Sequence, residues 1–210
     1  MPAKLMKLIR EYLPTALLVI GLFACRSSIA DWYEVPTGSM QPTIVEGDRI
    51  FVDKLAYDVK VPFTNLIVAR LDDPKAGDIV VFEHPQTGTR LIKRLIAGPG
   101  DVVSMLNNRL TINGQPLTYS QTDGHIYEDL AGKHALQWIN NGNPNTAFGP
   151  VRLGEDEFLM LGDNRNNSAD SRYFGLVRRD LIQGKAKNVL FSKVPDELAL
   201  RNERAFKKLI

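Results

Sequence analysis

From residue 34 onward the chain is cut into short apolar runs, each too short and too quickly interrupted to be a helix. Arg49–Val52, Asp78–Phe82, Thr89–Ile96, Asp101–Met105, Arg109–Ile112, Phe158–Leu161 and Lys187–Phe191 are rich in β-branched and other apolar residues. Turn formers stand between them: Asp73-Pro74, Gly98-Pro99-Gly100-Asp101 and Asn113-Gly114. This pattern predicts a mainly β fold of twisted, partly closed antiparallel sheets. Residues 34–105 and 153–195 are expected to form its principal β domain, and 106–152, with Asn107-Asn108 and the Asn140–Asn145 run, an inserted, loop-rich subdomain. Residues 196–210 read as a solvated, charge-mixed C-terminal tail.

The first 33 residues are of another kind. Lys4, Lys7 and Arg10 precede an apolar stretch from Leu13 to Cys25, and Trp32 and Tyr33 follow it. Charge ahead of an apolar run predicts an N-terminus on the cytoplasmic side and the remainder outside. Two readings compete. The apolar core, about 13 residues, is nearer a signal-peptide length than the ~20 that span a bilayer, and Ser28-Ile29-Ala30 offers a small-x-small cleavage site. Extension of the helix to the interfacial aromatic pair favours a retained transmembrane anchor over residues 1–33. A formal net charge of +2 without a basic tract excludes a nucleic-acid partner. One cysteine rules out a disulfide framework or a Cys-rich zinc site, and Cys25, inside the apolar stretch, is expected to be a small buried hydrophobe. His84, His125 and His134 are scattered in loop-like contexts without a recognisable acidic partner, so neither a Ser-His-Asp triad nor a metal centre is expected, and no cofactor is implied.

Three segments carry chemistry. In Val35-Pro36-Thr37-Gly38-Ser39-Met40-Gln41-Pro42-Thr43, prolines hold the backbone out of helix and Gly38 permits a close turn, so Ser39 is either a turn residue or an exposed nucleophile. In Arg90–Ile96, strand alternation puts Leu91, Lys93 and Leu95 on one face and Ile92, Arg94 and Ile96 on the other. One cation therefore shares an apolar face. If it is Lys93, desolvation lowers its pKa and makes a free amine able to take a proton from a serine; the plainer alternative is a snorkelling lysine on an edge strand. Arg94 keeps its proton and belongs on a wetter face or in an ion pair. Gly162–Arg172 is almost wholly polar. It reads as a surface loop or as a built site in which Asp170 pairs with Arg172 while Ser168 and Ser171 supply hydroxyls.

Together these segments resemble the type I signal peptidases of bacteria, membrane-anchored serine/lysine endopeptidases. Gly38-Ser39-Met40 with Pro42-Thr43 is similar to the family's nucleophile box, and Gly77–Phe82 to its next strand box. Lys93-Arg94 with Gly98, Pro99, Gly100 and Asp101 resembles the box of the general-base lysine, and Gly162-Asp163-Asn164-Arg165 through Ser168, Asp170, Ser171 and Arg172 the last. The resemblance spans roughly residues 35–180 and implies a catalytic β domain carrying Ser39 as nucleophile and Lys93 as base. It implies Ser39 N–H and Thr37 as oxyanion donors, Ser168 as the hydroxyl orienting the amine, and Asp170 and Arg172 as a supporting pair. Val35, Met40 and Ile92 would line shallow apolar pockets for small residues, with substrate docked as an added strand. The implied partners are secretory precursor proteins bearing signal peptides, and the bilayer of the cytoplasmic membrane. Thr37 stands where serine is frequent in the family, and Asn166 where aspartate is. A self-cleaving repressor-type peptidase would need neither anchor nor insertion. A conjugation-type processing peptidase with a single substrate, and a non-catalytic membrane-tethered β domain that binds exported polypeptides, are the alternatives carried forward.

Overall fold

A computed structural model describes residues 3–138 and 145–209. In chain order these form α1 (Ala3–Ser28), β1 (Ala30–Glu34), β2 (Asp48–Asp53), β3 (Asp58–Lys60), β4 (Ile67–Arg70), β5 (Ile79–Glu83), β6 (Arg90–Ala97), β7 (Val102–Leu106), β8 (Arg109–Ile112) and β9 (Gln115–Pro116). There follow β10 (Thr118–Thr122), β11 (His125–Asp129), β12 (Lys133–Leu136), β13 (Phe148–Arg152), β14 (Glu157–Leu161), α2 (Ser171–Phe174), β15 (Val177–Arg178) and β16 (Ile182–Ser192). The runs picked out by β-branched composition are strands, so the fold is mainly β, as expected.

Seven strands make the principal sheet, in the order β1-β2-β16-β5-β6-β14-β15, with every neighbouring pair antiparallel. β16 is its long central member, and its pairings slip register beside Ala186, Val189 and Ile182. Such irregularities add twist and bend a strand. The sheet curls far enough that the Arg90 guanidinium of β6 lies 4.0 Å from the centre of the Tyr33 ring of β1, although β2, β16 and β5 stand between them in the sheet. One core cluster, including Val35, Met40, Ile44, Val52 and Val81, fills the inside of the β1–β5 half. A second, around Phe82, Leu95, Phe158 and Ile182, packs elsewhere against β5, β6 and β14.

The segment 106–152, expected to be loop-rich, is instead strand-rich among its described residues. It contributes to a four-stranded sheet, β13-β7-β8-β9, and forms a three-stranded one, β10-β11-β12. Two-residue turns make this possible. Asn107-Asn108, Asn113-Gly114 and Asp123-Gly124 all have positive φ, and they close the hairpins β7–β8, β8–β9 and β10–β11. Most of the Asn140–Asn145 run, residues 140–144, lies outside the described residues.

The expected anchor takes another form. α1 ends at Ser28, and Trp32 and Tyr33, assigned above to the membrane interface, pair with Phe51 and Ile50 in the sheet. With Arg10, Glu11 and Arg26 at either end of a brief apolar stretch, no helix among the described residues is long and apolar enough to cross a membrane. The Cys25 side chain lies outside the described residues. The C-terminal segment is not a solvated helix end either. Arg204 pairs with the buried Asp48 through Nε, at 2.8 Å, and Nη2, at 2.5 Å, while Leu209 joins the first core cluster.

The three-stranded sheet is fastened to the polar loop after β14 by a buried charge cluster. Arg165 Nη2 donates to Glu128 Oε1 at 2.6 Å, with both side chains fully buried, and Tyr119 Oη donates to the other carboxylate oxygen. Removing one member of such a pair strands the other in a low-dielectric interior. Arg165→Met is therefore expected to lower unfolding free energy by about 3–5 kcal/mol in a urea titration, and adding Glu128→Gln should recover a large part of the loss.

Candidate active site

β6 brings two cations in succession into the interior: Lys93 is 3% exposed and Arg94 1%. Their partners differ in kind. Arg94 forms a two-pronged pair with Asp163, Nε to Oδ1 and Nη2 to Oδ2, each 2.8 Å, and its Nη1 donates to Gly77 O. Of the two places open to Arg94, wetter face or ion pair, it takes the second. Lys93 Nζ is hydrogen-bonded to Ser39 Oγ at 2.7 Å and to Ile92 O at 3.0 Å, with no carboxylate in bonding distance among the described residues. Burial pulls the Lys93 pKa down to about 8, against the nearby Asp170 and Asp163 carboxylates, which pull it up.

Ser39 sits in the turn between β1 and β2, and three sets of contacts hold it. Val35, Met40 and Ile44 are buried in the core on either side of it. Asn164 then reaches across from the loop after β14: its Nδ2 donates to Gly38 O and its backbone N–H to Ser39 O, both at 3.1 Å. Third, Gly162 leaves the space that this crossing needs. A Cβ there would lie 2.3 Å from Ser168 Oγ and 2.5 Å from Ser39 O, so no larger residue fits without displacing the serine turn.

The loop after β14 is itself rigidly tied. Asp170 caps α2, accepts from Gly162 N at 3.0 Å and receives Arg172 Nε and Nη2 at 2.7 Å each. Arg172 Nη2 also donates to Arg165 O at 2.5 Å. Ser168 is buried, and its Oγ has no hydrogen-bond partner among the described residues, so it makes no bond to Lys93 in this geometry. Asn166 Oδ1 accepts from Asn108 Nδ2 at 2.8 Å, an amide contact to the β7–β8 turn.

Ser39 and Lys93 lie at a groove of about 530 Å³ that also includes Val35, Thr37, Ile92 and Tyr33 in its lining. Thr37 is exposed within it. No described acceptor takes up the Ser39 N–H. Met40 does not line the groove. It is 0% exposed, because the turn that presents Ser39 directs the next residue into the core. His134 is likewise not a loop residue: it belongs to β12, and its Nε2 lies 3.4 Å from Glu128 Oε1. Gly162, Asp163 and Asn164 stood in the last of the family-like boxes without roles of their own, and Arg94 was open to an ion pair without a named partner. Their partners are far away along the chain, Asn164 lying 126 residues from Gly38, so the sequence did not show which contacts they make.

A model of the signal peptidase family, peptidase S26, matches residues 5–191. The chain belongs to this family. It is 31% identical to a signal peptidase I of Buchnera aphidicola subsp. Schizaphis graminum, over 85% of this chain and 72% of that one. Signal peptidase I P of Bacillus subtilis subsp. natto is 33% identical, over 82% of this chain and 83% of its own. A crystal structure of a signal peptidase I from Enterococcus faecalis V583 aligns at a TM-score of 0.38 and 30% identity, covering 55% of this chain and 97% of that one. As a member of a peptidase family, the protein is a hydrolase, and a purely binding β domain is set aside.

A lysine pKa of about 8 in the fold, below its ordinary 10.5, has a cost to stability. Between those values the unfolded chain holds more protons, so stability rises with pH; below about 8 the whole penalty of the buried ammonium is present. Lys93→Met, which keeps the stem and removes the amine, is expected to raise unfolding free energy by roughly 2 kcal/mol at pH 7 and by much less at pH 10.5. Denaturant titrations at the two pH values measure this.

Proposed function

We propose that the protein cleaves N-terminal signal peptides from exported precursor proteins after small-x-small motifs, with Ser39 as nucleophile and Lys93 as general base. The observation that carries this reading is the 2.7 Å contact between Lys93 Nζ and Ser39 Oγ, buried at the end of an open groove. A neutral amine accepts the Ser39 O–H proton as Oγ attacks the scissile carbonyl carbon. The resulting ammonium returns that proton to the leaving amine nitrogen as the peptide C–N bond breaks. Water then releases the acyl group from Oγ, with Lys93 again the proton acceptor. The uncommitted Ser39 N–H and the exposed Thr37 hydroxyl, both at the groove, are suited to the oxyanion. Asp170 and Arg172 act at one remove, through the backbone of Gly162 and Arg165. Ser168, buried beside Gly162 with its hydroxyl unbonded among the described residues, is a candidate to steady the amine when its bond to Ser39 breaks. Val35 and Ile92 form the apolar wall against which small side chains fit.

The same reading gives α1 a role at the cytoplasmic membrane, with its N-terminus inside and the β domain outside. Leu17, Leu18, Ile20, Leu22 and Phe23 are each more than half exposed, a concentration of apolar surface that water does not favour, and basic residues precede it.

The decisive experiment is incubation of the detergent-solubilised protein with a secretory precursor. Wild type is expected to cut after the small-x-small motif, while Ser39→Ala and Lys93→Ala lose at least about 10³-fold in rate. Cleavage that survives Lys93→Ala removes the lysine from the mechanism. With a base of pKa about 8, kcat/KM should fall tenfold for each pH unit below that value. A flat profile from pH 5 to 9 opposes the assignment.

Thr37 offers an independent check. Thr37→Val removes only the hydroxyl and is expected to lower kcat by roughly 10- to 10³-fold, whereas Thr37→Ser keeps activity within a few-fold. Equal activities would exclude the side chain from the oxyanion site.

A further inference from the structure

The groove contains one cation that the chemistry above does not use and that forms no salt bridge among the described residues, although Glu83 stands opposite it across the β5–β6 pair. Four basic residues line it. Lys93 is committed to Ser39. Arg49 Nη2 donates to Glu34 Oε2 at 2.7 Å, and Arg26 Nε to Asp31 Oδ1 at 2.9 Å. Arg90 is different. Its Nε donates to the neutral amide oxygen of Gln183 at 2.9 Å, and its guanidinium lies 4.0 Å from the Tyr33 ring centre. Gln183 is in turn fixed by its own Nε2, which donates to Glu83 Oε1 at 2.7 Å.

The guanidinium is therefore immobilised from two sides, while neither Nη nitrogen has an acceptor among the described residues. A planar guanidinium already held in place, with two N–H edges open, is suited to a carboxylate, because the entropy of ordering it has been lost before binding. Its distance from the chemistry is also defined. Arg90 and Lys93 lie on the same strand, three residues apart, about 10 Å at ~3.3 Å per residue. A polypeptide extended beside β6 advances at the same rate. Side chains alternate along both strands, so its fourth residue from the cut, on the face opposite the small third residue, is the one that meets Arg90.

We propose that Arg90 is a specificity-determining residue that pairs with an acidic side chain of the substrate, four residues from the cut. This deepens, and rests on, the reading of the groove as a precursor-cleaving site. The pair lies toward solvent, so its effect is on the order of 3- to 10-fold in kcat/KM.

The test uses the full-length protein in neutral detergent and a series of precursor peptides that carry Glu, Gln or Lys, one position at a time, over four residues on either side of the cleavage site. Wild type is expected to prefer Glu over Gln at the position four residues from the cut, by roughly 3- to 10-fold at low salt and less in 0.5 M NaCl. Arg90→Gln should erase that preference, and Arg90→Glu should turn it toward Lys. Absence of an acidic preference at that position, or its persistence in Arg90→Gln, overturns the proposal. So does an effect of Arg90→Gln seen only when anionic phospholipid vesicles are added, which would assign the cation to a lipid headgroup. The Gln peptide separates the two levels of the argument. Its cleavage by wild type and not by Ser39→Ala keeps the functional reading even if the Glu preference fails, and its survival intact with wild type removes that reading.

Discussion

An amine kept out of water without a carboxylate to neutralise it is the constraint around which this fold is arranged. Lys93 has two acids close enough to raise its pKa, Asp163 and Asp170, and either alone would turn it into an ordinary buried ion pair with a high pKa. Each is already occupied. Arg94 takes both oxygens of Asp163, and Arg172 both oxygens of Asp170. With their charge and their lone pairs committed elsewhere, burial dominates at Lys93 and the pKa comes down to about 8. The two arginines next to the site are thus the reason that its lysine can be a base.

The same acids also build the site mechanically. Asp163 joins β6 to the loop after β14 and accepts from Thr43, beyond Ser39 in its turn, at 2.5 Å. Asp170 holds Gly162 N, beside the point where a Cβ would strike both Ser39 O and Ser168 Oγ. Asn164, between them, grips Gly38 and Ser39 by their carbonyls. Ser39 and Lys93 come from segments with no regular pairing to each other, and a polar loop sets their separation. Buried polar networks that are fully bonded fix geometry better than apolar contacts, which slide. Among the described residues, three buried polar atoms of this loop are left without a bond: Asn164 Oδ1, Arg165 Nε and Ser168 Oγ.

What could be read from the sequence was local. Strand composition located β2, β5, β6, β7, β8 and β14, and a two-residue turn such as Asn113-Gly114 specifies its hairpin without outside help. The polar strands β10 and β11 escaped notice because Thr118–Thr122 and His125–Asp129 carry little apolar alternation, although Asp123-Gly124 between them is as strong a turn signal as Asn113-Gly114. Alternation correctly opposed Lys93 to Arg94 across β6, but it expected one wet face. β6 lies between β5 and β14 and both cations are buried, so burial is met in two ways, by a lowered pKa at the lysine and by a carboxylate partner for the arginine. Met40 shows the opposite limit: next to Ser39 in sequence, it points into the core, and a one-residue step in a turn carries no periodicity from which its direction could be read.

Trp32 and Tyr33 carry the largest reassignment, and it bears on how substrate meets the site. As strand residues they wall the groove, and they tie it to α1 without a flexible linker, since only Ile29 separates helix from strand. The junction is braced from several directions. Arg26 stacks 4.6 Å from the Trp32 ring and pairs with Asp31, while Lys54 Nζ donates to Ser27 O at 3.1 Å. Arg26 and Trp32 both line the groove, so its mouth and the C-terminal end of α1 are one surface. A helix fixed in this way cannot swing freely about the β domain, and whatever surface α1 rests on sets the height of Ser39 above it. Under the proposed function, with substrate chains that emerge from a bilayer, such rigidity would replace a search through solution by a fixed depth of approach and would confine the cut to substrate extended along the surface beside the helix.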